Sequence, residues 1–201
     1  MSLFAVMKGD DGIHVNLYND CRFNTDAFGQ RVRLDVRADP YLSNGASVSV
    51  DGRGQSFALA LRVPSWADKL TVLVDGKTVD TTERDGYLII DRVWEKSKID
   101  VKFTAPVKMR VIGGKIAFTK GPIVLASDAR HQKLGNPVSI GVKNGKSVRA
   151  KRVKNTLFES NVAYEVATKD GIITLCDYAQ AGKNFDDENT GVSVWHETRK
   201  G

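Results

Sequence analysis

Apolar residues recur at every second position along most of the chain, the pattern of strands with one buried face and one wetter face. The clearest runs are Phe57, Leu59, Leu61 and Val63, and later Ile99, Val101 and Phe103. Upstream, Val32, Leu34 and Val36 alternate with Arg31, Arg33, Asp35 and Arg37, so this strand opposes a core face to a charged one. Ala46, Val48 and Val50 resume the alternation beyond Pro40, and residues 4–18 read as a first strand with a turn at Asp10-Asp11-Gly12. Asp75-Gly76 and Asp85-Gly86 fall between runs, where Asp-Gly supplies the positive φ angles of tight hairpin turns. Pro64 and Pro106 are expected at strand ends, because proline cannot donate to a ladder.

The character changes after Ser127. The polar stretch Asp128 to Pro137 contains Gly and Pro and is the best linker candidate. Beyond it, Val138–Val142 and Val148–Val153 flank Asn144-Gly145, and Ala163–Ala167 and Ile172–Leu175 flank Asp170-Gly171, each a hairpin signal. Val192 to His196 reads as the final strand. No stretch reads as a helix longer than a turn or two. The expected fold is therefore all-β: an antiparallel, jelly-roll-like β-sandwich over residues 1–130. Residues 131–201 form a second β segment that closes the same sandwich or makes a smaller β subdomain.

At 201 residues the chain can bury a substantial core. No apolar run approaches the roughly 18 to 20 residues that cross a bilayer as a helix, so no membrane partner is expected. No signal peptide is visible at the start, and a periplasmic or secreted location would require one in a longer parent. The formal charge of +6 is dispersed, with its densest run at Lys143 to Lys154. That run has no aromatic residue to stack on bases and contains an Asn-Gly turn, so a solvated hairpin is expected and not a nucleic-acid site. Cys21 and Cys176 have no metal-ligand spacing and read as buried free thiols; a bridge between them is the alternative.

Candidate chemistry is sparse. The 24 acidic residues include no pair singled out as glycosidase carboxylates, and turn roles account for Asp75, Asp85 and Asp170. His14, His131 and His196 share no local motif, and no GxSxG elbow supports a serine nucleophile. Asp186-Asp187-Glu188-Asn189 offers oxygen ligands of the kind calcium prefers, without the spacing of an EF-hand loop, and reads first as a solvated loop. Trp66, Trp94 and Trp195 each end an apolar strand, where packing in a core or domain interface is the usual use of a large ring. With Tyr178 they are the candidate sugar or domain-interface contacts; Tyr18, Tyr41 and Tyr87 are further candidate platforms.

Several motifs occur in a fixed order: Gly12 to Cys21 (GIHVNLYNDC), Leu61 to Ala67 (LRVPSWA), Gly86-Tyr87, Trp94, Ala105 to Arg110 (APVKMR), Lys120 to Leu125 (KGPIVL) and Ile173 to Trp195. Together they resemble the β-sandwich region that follows the catalytic barrel in glycoside hydrolase family 127, the family of the beta-L-arabinofuranosidases. The resemblance implies a partner, the helical catalytic barrel, and a plant-type glycan as the sugar handled. It also implies that the nucleophilic cysteine and its zinc, bound by cysteines and a glutamate, belong to that barrel. Cys21 does not match the nucleophile, because the family pattern tends toward Ile-Pro-Ser there. No catalytic residue carries over, and no cofactor is expected in this chain. The leading expectation is a non-catalytic accessory region, with an independent carbohydrate-binding module as the alternative.

Overall fold

The structure, a computed structural model, describes residues 4–39, 44–132, 144–154, 162–182 and 191–198. The strand expected at Val138–Val142, the acidic cluster Asp186–Asn189 and Tyr41 lie outside the described residues. Every regular element among the described residues longer than a single turn is a strand, and no helix is long and apolar enough to cross a membrane. The chain divides into two compact units, Met1–Thr104 and Ala105–Gly201.

The first unit contains β1 (Val6–Gly9), β2 (Gly12–Val15), β3 (Cys21–Thr25), β4 (Val32–Asp39), β5 (Gly45–Arg62), β6 (Lys69–Val74), β7 (Thr82–Arg84) and β8 (Tyr87–Thr104). Two of these, β5 and β8, are 18 residues each and pair along almost their whole length. Their register shifts between Asp51 and Gln55, where Arg53 and Gly54 take φ angles of 50° and 77°. A bulge of this kind bends a strand and increases its twist, so the two halves of β5 can take different neighbours. Before the bulge β5 pairs with β4, and β4 with β3; after it β5 pairs with β2, and β2 with β1. The far side of β8 carries β6 along one half and β7 along the other.

The alternation read from sequence turns inward as expected. Val32, Leu34, Val36, Val48, Val50, Ile99 and Val101 meet Ile13, Val15, Leu59, Leu61 and Trp94 in a single buried cluster. One pairing differs from the antiparallel expectation: β2 runs parallel to β5, Gly12 opposite Ala58 and Val15 opposite Leu61. A parallel neighbour needs a long crossover, and the β3–β4 hairpin provides it. The pairing is close enough that a Cβ on Gly12 would collide with the carbonyl of Ala58.

The second unit contains β9 (Val107–Ile112), β10 (Lys115–Lys120), β11 (Ile123–Asp128), β12 (Ala150–Arg152), β13 (Ala163–Thr168), β14 (Gly171–Asp177), β15 (Val192–Ser193) and β16 (His196–Glu197). Pairing runs β9-β10-β11-β14-β13-β12. The segment before β12 returns along β9: Met109 N–H donates to Lys146 O at 3.1 Å, and Val148 N–H to Val107 O at 2.9 Å. The sheet thus curls into a near-closed barrel whose interior is filled by Met109, Phe118, Leu125, Val166 and Leu175.

Three expectations change here. Residues 105–130, assigned from sequence to the main sandwich, supply β9, β10 and β11 of the second unit, because their inward side chains fill the barrel's core. The described part of the linker candidate, Asp128 to Gln132, is anchored: Gln132 exchanges two hydrogen bonds with the backbone of Thr174, at 2.9 and 3.2 Å. The final strand is two short pieces, β15 on β11 and β16 on β10, with Trp195 between them.

Candidate functional site

The four aromatic candidates have different surroundings. Trp94 is fully buried; its indole Nε1–H donates to Phe57 O at 2.9 Å, and its ring stacks on that of Phe57 at 5.9 Å. Phe57 in turn stacks on Phe28 at 4.9 Å. Trp94 therefore has no surface for a sugar or a second domain; its ring packs within the core cluster of the first unit. Trp66 is half-buried, its ring edge-on to Phe103 at 5.1 Å, while Tyr18 meets the same phenylalanine at 4.9 Å. Two rings thus cover Phe103 near the end of β8. In the second unit Tyr178 and Trp195 keep 55% and 43% of their surfaces exposed.

The titratable groups that burial perturbs are held by structural contacts. Both cysteines are free. Burial, helped by the carboxylates of Asp128 and Asp177, pushes the Cys176 thiol up to about 12, and burial together with Asp20 and Asp35 raises that of Cys21. Such thiols are protonated near neutral pH and poor nucleophiles. Asp128 is fully buried and accepts from Arg130 Nε at 2.8 Å, Arg130 Nη2 at 2.7 Å and the Gly182 amide at 3.0 Å. Burial works to raise its pKa, but the guanidinium and the backbone amides outweigh that and hold the carboxyl at about 2. His196 is buried beside Phe118, and burial lowers its pKa. Among the described residues no three His, Cys, Asp or Glu side chains are grouped as a metal site.

Two polar surfaces on the first unit remain. Across the β1–β2 sheet, His14 Nε2 lies 2.8 Å from Asp11 Oδ1, Arg84 donates to Asp11 Oδ2 at 2.9 Å, and Tyr87 OH donates to Asn16 Oδ1 at 2.6 Å. Arg62 lies over the Tyr87 ring at 5.1 Å, so this tyrosine candidate is occupied by its own neighbours. The other surface is the outer face of β4, β5 and β8, which holds a groove of about 560 Å³ and a second of about 410 Å³. Sequence reading marked the charged face of β4 but missed its continuation on the neighbouring strands. The signal was present, since Lys98, Asp100 and Lys102 alternate with Ile99, Val101 and Phe103.

Comparison with known proteins places this architecture. Residues 12–107 match the family model described as the beta-L-arabinofuranosidase GH127 middle domain. That stretch covers the first unit from β2 onward and reaches the start of β9. A GH127 beta-L-arabinofuranosidase from Geobacillus stearothermophilus T6 has the same fold, with a TM-score of 0.76 at 18% identity over 98% of this chain and 35% of its own. A structure described as a glycoside hydrolase matches at a TM-score of 0.75 and 18% identity, over 98% of this chain and 37% of its own. A further GH127 beta-arabinofuranosidase matches at 0.72 and 19% identity, over 94% of this chain and 35% of its own. The chain thus spans little more than a third of the solved proteins it resembles. No curated protein sequence matches it.

Proposed function

We propose that this chain is a non-catalytic accessory region of a glycoside hydrolase of the beta-L-arabinofuranosidase type, packing against a catalytic barrel outside this sequence. The match of residues 12–107 to the GH127 middle domain carries the reading. The chemistry of the described residues supports it: burial raises both thiols above their ordinary pKa, and the buried Asp128 carboxylate is paired with Arg130. Separately expressed catalytic barrel from a GH127 beta-L-arabinofuranosidase should co-purify with this chain. The chain alone should release no arabinose from an aryl beta-L-arabinofuranoside. Hydrolysis by the pure chain, abolished by Cys21→Ser, would overturn the reading.

The alternative is a carbohydrate-binding module, favoured by the exposure of Tyr178 and Trp195. It predicts saturable quenching of tryptophan fluorescence by arabinan or arabinogalactan oligosaccharides, lost in a folded Trp195→Ala variant.

A further inference from the structure

The outer face of the β3–β4 half of the sandwich is built differently from an ordinary wet sheet surface. Its three central strands align in rows: Arg37, Ser47 and Asp100; then Asp35, Ser49 and Lys98; then Arg33, Asp51 and Lys96. Successive rows lie about 6.6–6.8 Å apart along the strands. The middle strand contributes Ser47, Ser49 and Asp51, and Gly45 adds no side chain in the row beyond Ser47. Long charged side chains stand on both flanks. Short side chains between longer flanking ones make a trough, and two grooves of about 560 and 410 Å³ lie in succession along it.

Charge decides what such a trough can hold. The walls carry five cations, Arg33, Arg37, Lys96, Lys98 and Lys102. Five carboxylates line the grooves as well, Asp20, Asp35, Asp75 and Asp100 beside the cations and Asp51 on the middle strand. This surface is balanced, although the whole chain has a formal charge of +6. A polyanion site would need an excess of cations, and a cation site an excess of carboxylates. Interspersed donors and acceptors around serine hydroxyls suit a ligand whose groups each donate and accept, which is the property of a sugar hydroxyl. The wall groups are themselves braced: Arg33 and Arg22 both donate to Asp35, at 2.7 and 2.6 Å, and Asp20 accepts from the Ala38 amide at 2.9 Å. That bracing limits the side-chain freedom lost on binding.

We propose that this trough is a binding groove for a neutral, extended oligosaccharide, read by hydrogen bonds without an aromatic platform. The inference rests on the glycoside-hydrolase reading for its ligand class, but it uses none of the tryptophans singled out in the sequence. In the longer enzyme such a groove would hold a stretch of the glycan away from the bond being cut.

The test is a titration of the full chain followed by two-dimensional amide NMR, with a linear arabinofuranose oligosaccharide, cellohexaose and heparin as separate probes. Saturable shifts on residues 33–37, 45–51 and 96–102 with a neutral oligosaccharide are expected. The Ser47→Arg, Ser49→Arg double variant fills the floor and should weaken that response about tenfold or more. If the double variant does not fold, Asp100→Asn removes one wall acceptor and should weaken it by a similar factor. Silence with both neutral sugars, shifts that map to Tyr178 and Trp195 instead, or a response to heparin alone would overturn the proposal. Barrel co-purification reports on the accessory reading independently, so failure of one experiment is distinguishable from failure of the other.

Discussion

Gly52 lies against Trp94 so closely that a Cβ at position 52 would overlap both the Cβ and the carbonyl oxygen of the tryptophan. The bulge in β5 and the position of Trp94 are thus linked: the missing side chain lets β5 pass close over the Trp94 backbone. Gly52→Ala should destabilise the first unit by about 1–3 kcal/mol through overpacking against backbone that cannot move aside. Urea unfolding followed by Trp94 fluorescence measures it, and an unchanged midpoint would show that the bulge relaxes freely.

A buried ion pair should dominate the second unit. Arg130→Ala leaves the Asp128 carboxylate buried with only backbone donors, which typically costs about 3–5 kcal/mol. The folded pKa of about 2 lies below the ordinary value of 3.8. The pair's contribution is therefore complete above about pH 4 and is lost as pH falls toward 2. Acid unfolding of the wild type should steepen in that window, and Arg130→Ala should flatten it.

His196 imposes a second pH dependence of the same direction at higher pH. Burial keeps its ring neutral, so its folded pKa lies below the unfolded value of about 6.5. The unfolded chain takes up the proton first, and stability declines as pH falls below about 6.5. His131 is shifted the same way, by burial first. Thermal unfolding compared at neutral and mildly acidic pH should show a loss that His196→Phe reduces; an equal loss in the variant would assign it to His131.

Thiol labelling separates the cysteines. Cys176 is fully buried, with its thiol near 12, whereas Cys21 is half-buried on β3. Ellman's reagent should modify Cys21 slowly in the native protein and Cys176 only after unfolding. Rapid native labelling of Cys176 would mean that β14 opens locally.

What the sequence determined by itself was local. Alternation of period two located the inward positions Val32, Leu34, Val36, Leu59, Leu61, Ile99 and Val101, because that period depends only on the geometry of one strand. Asp75-Gly76 and Asp85-Gly86 were legible as turns for the same reason, and each residue of both pairs has positive φ. The ordered motifs carried the GH127 likeness, which the match over residues 12–107 supports. Tertiary structure decided everything that depends on residues far apart. Nothing local in β5 and β8 announces that they stay paired on both sides of a bulge, because Gly52-Arg53-Gly54 resembles an ordinary turn signal in sequence. The parallel β2–β5 pair requires the chain to return from β4, and the barrel closes only when residues 144–148 reach back to β9. Asp128 read as linker because an aspartate in a polar run is normally solvated; Arg130 and the Gly182 amide make its burial tolerable, and only folding brings Gly182 to it.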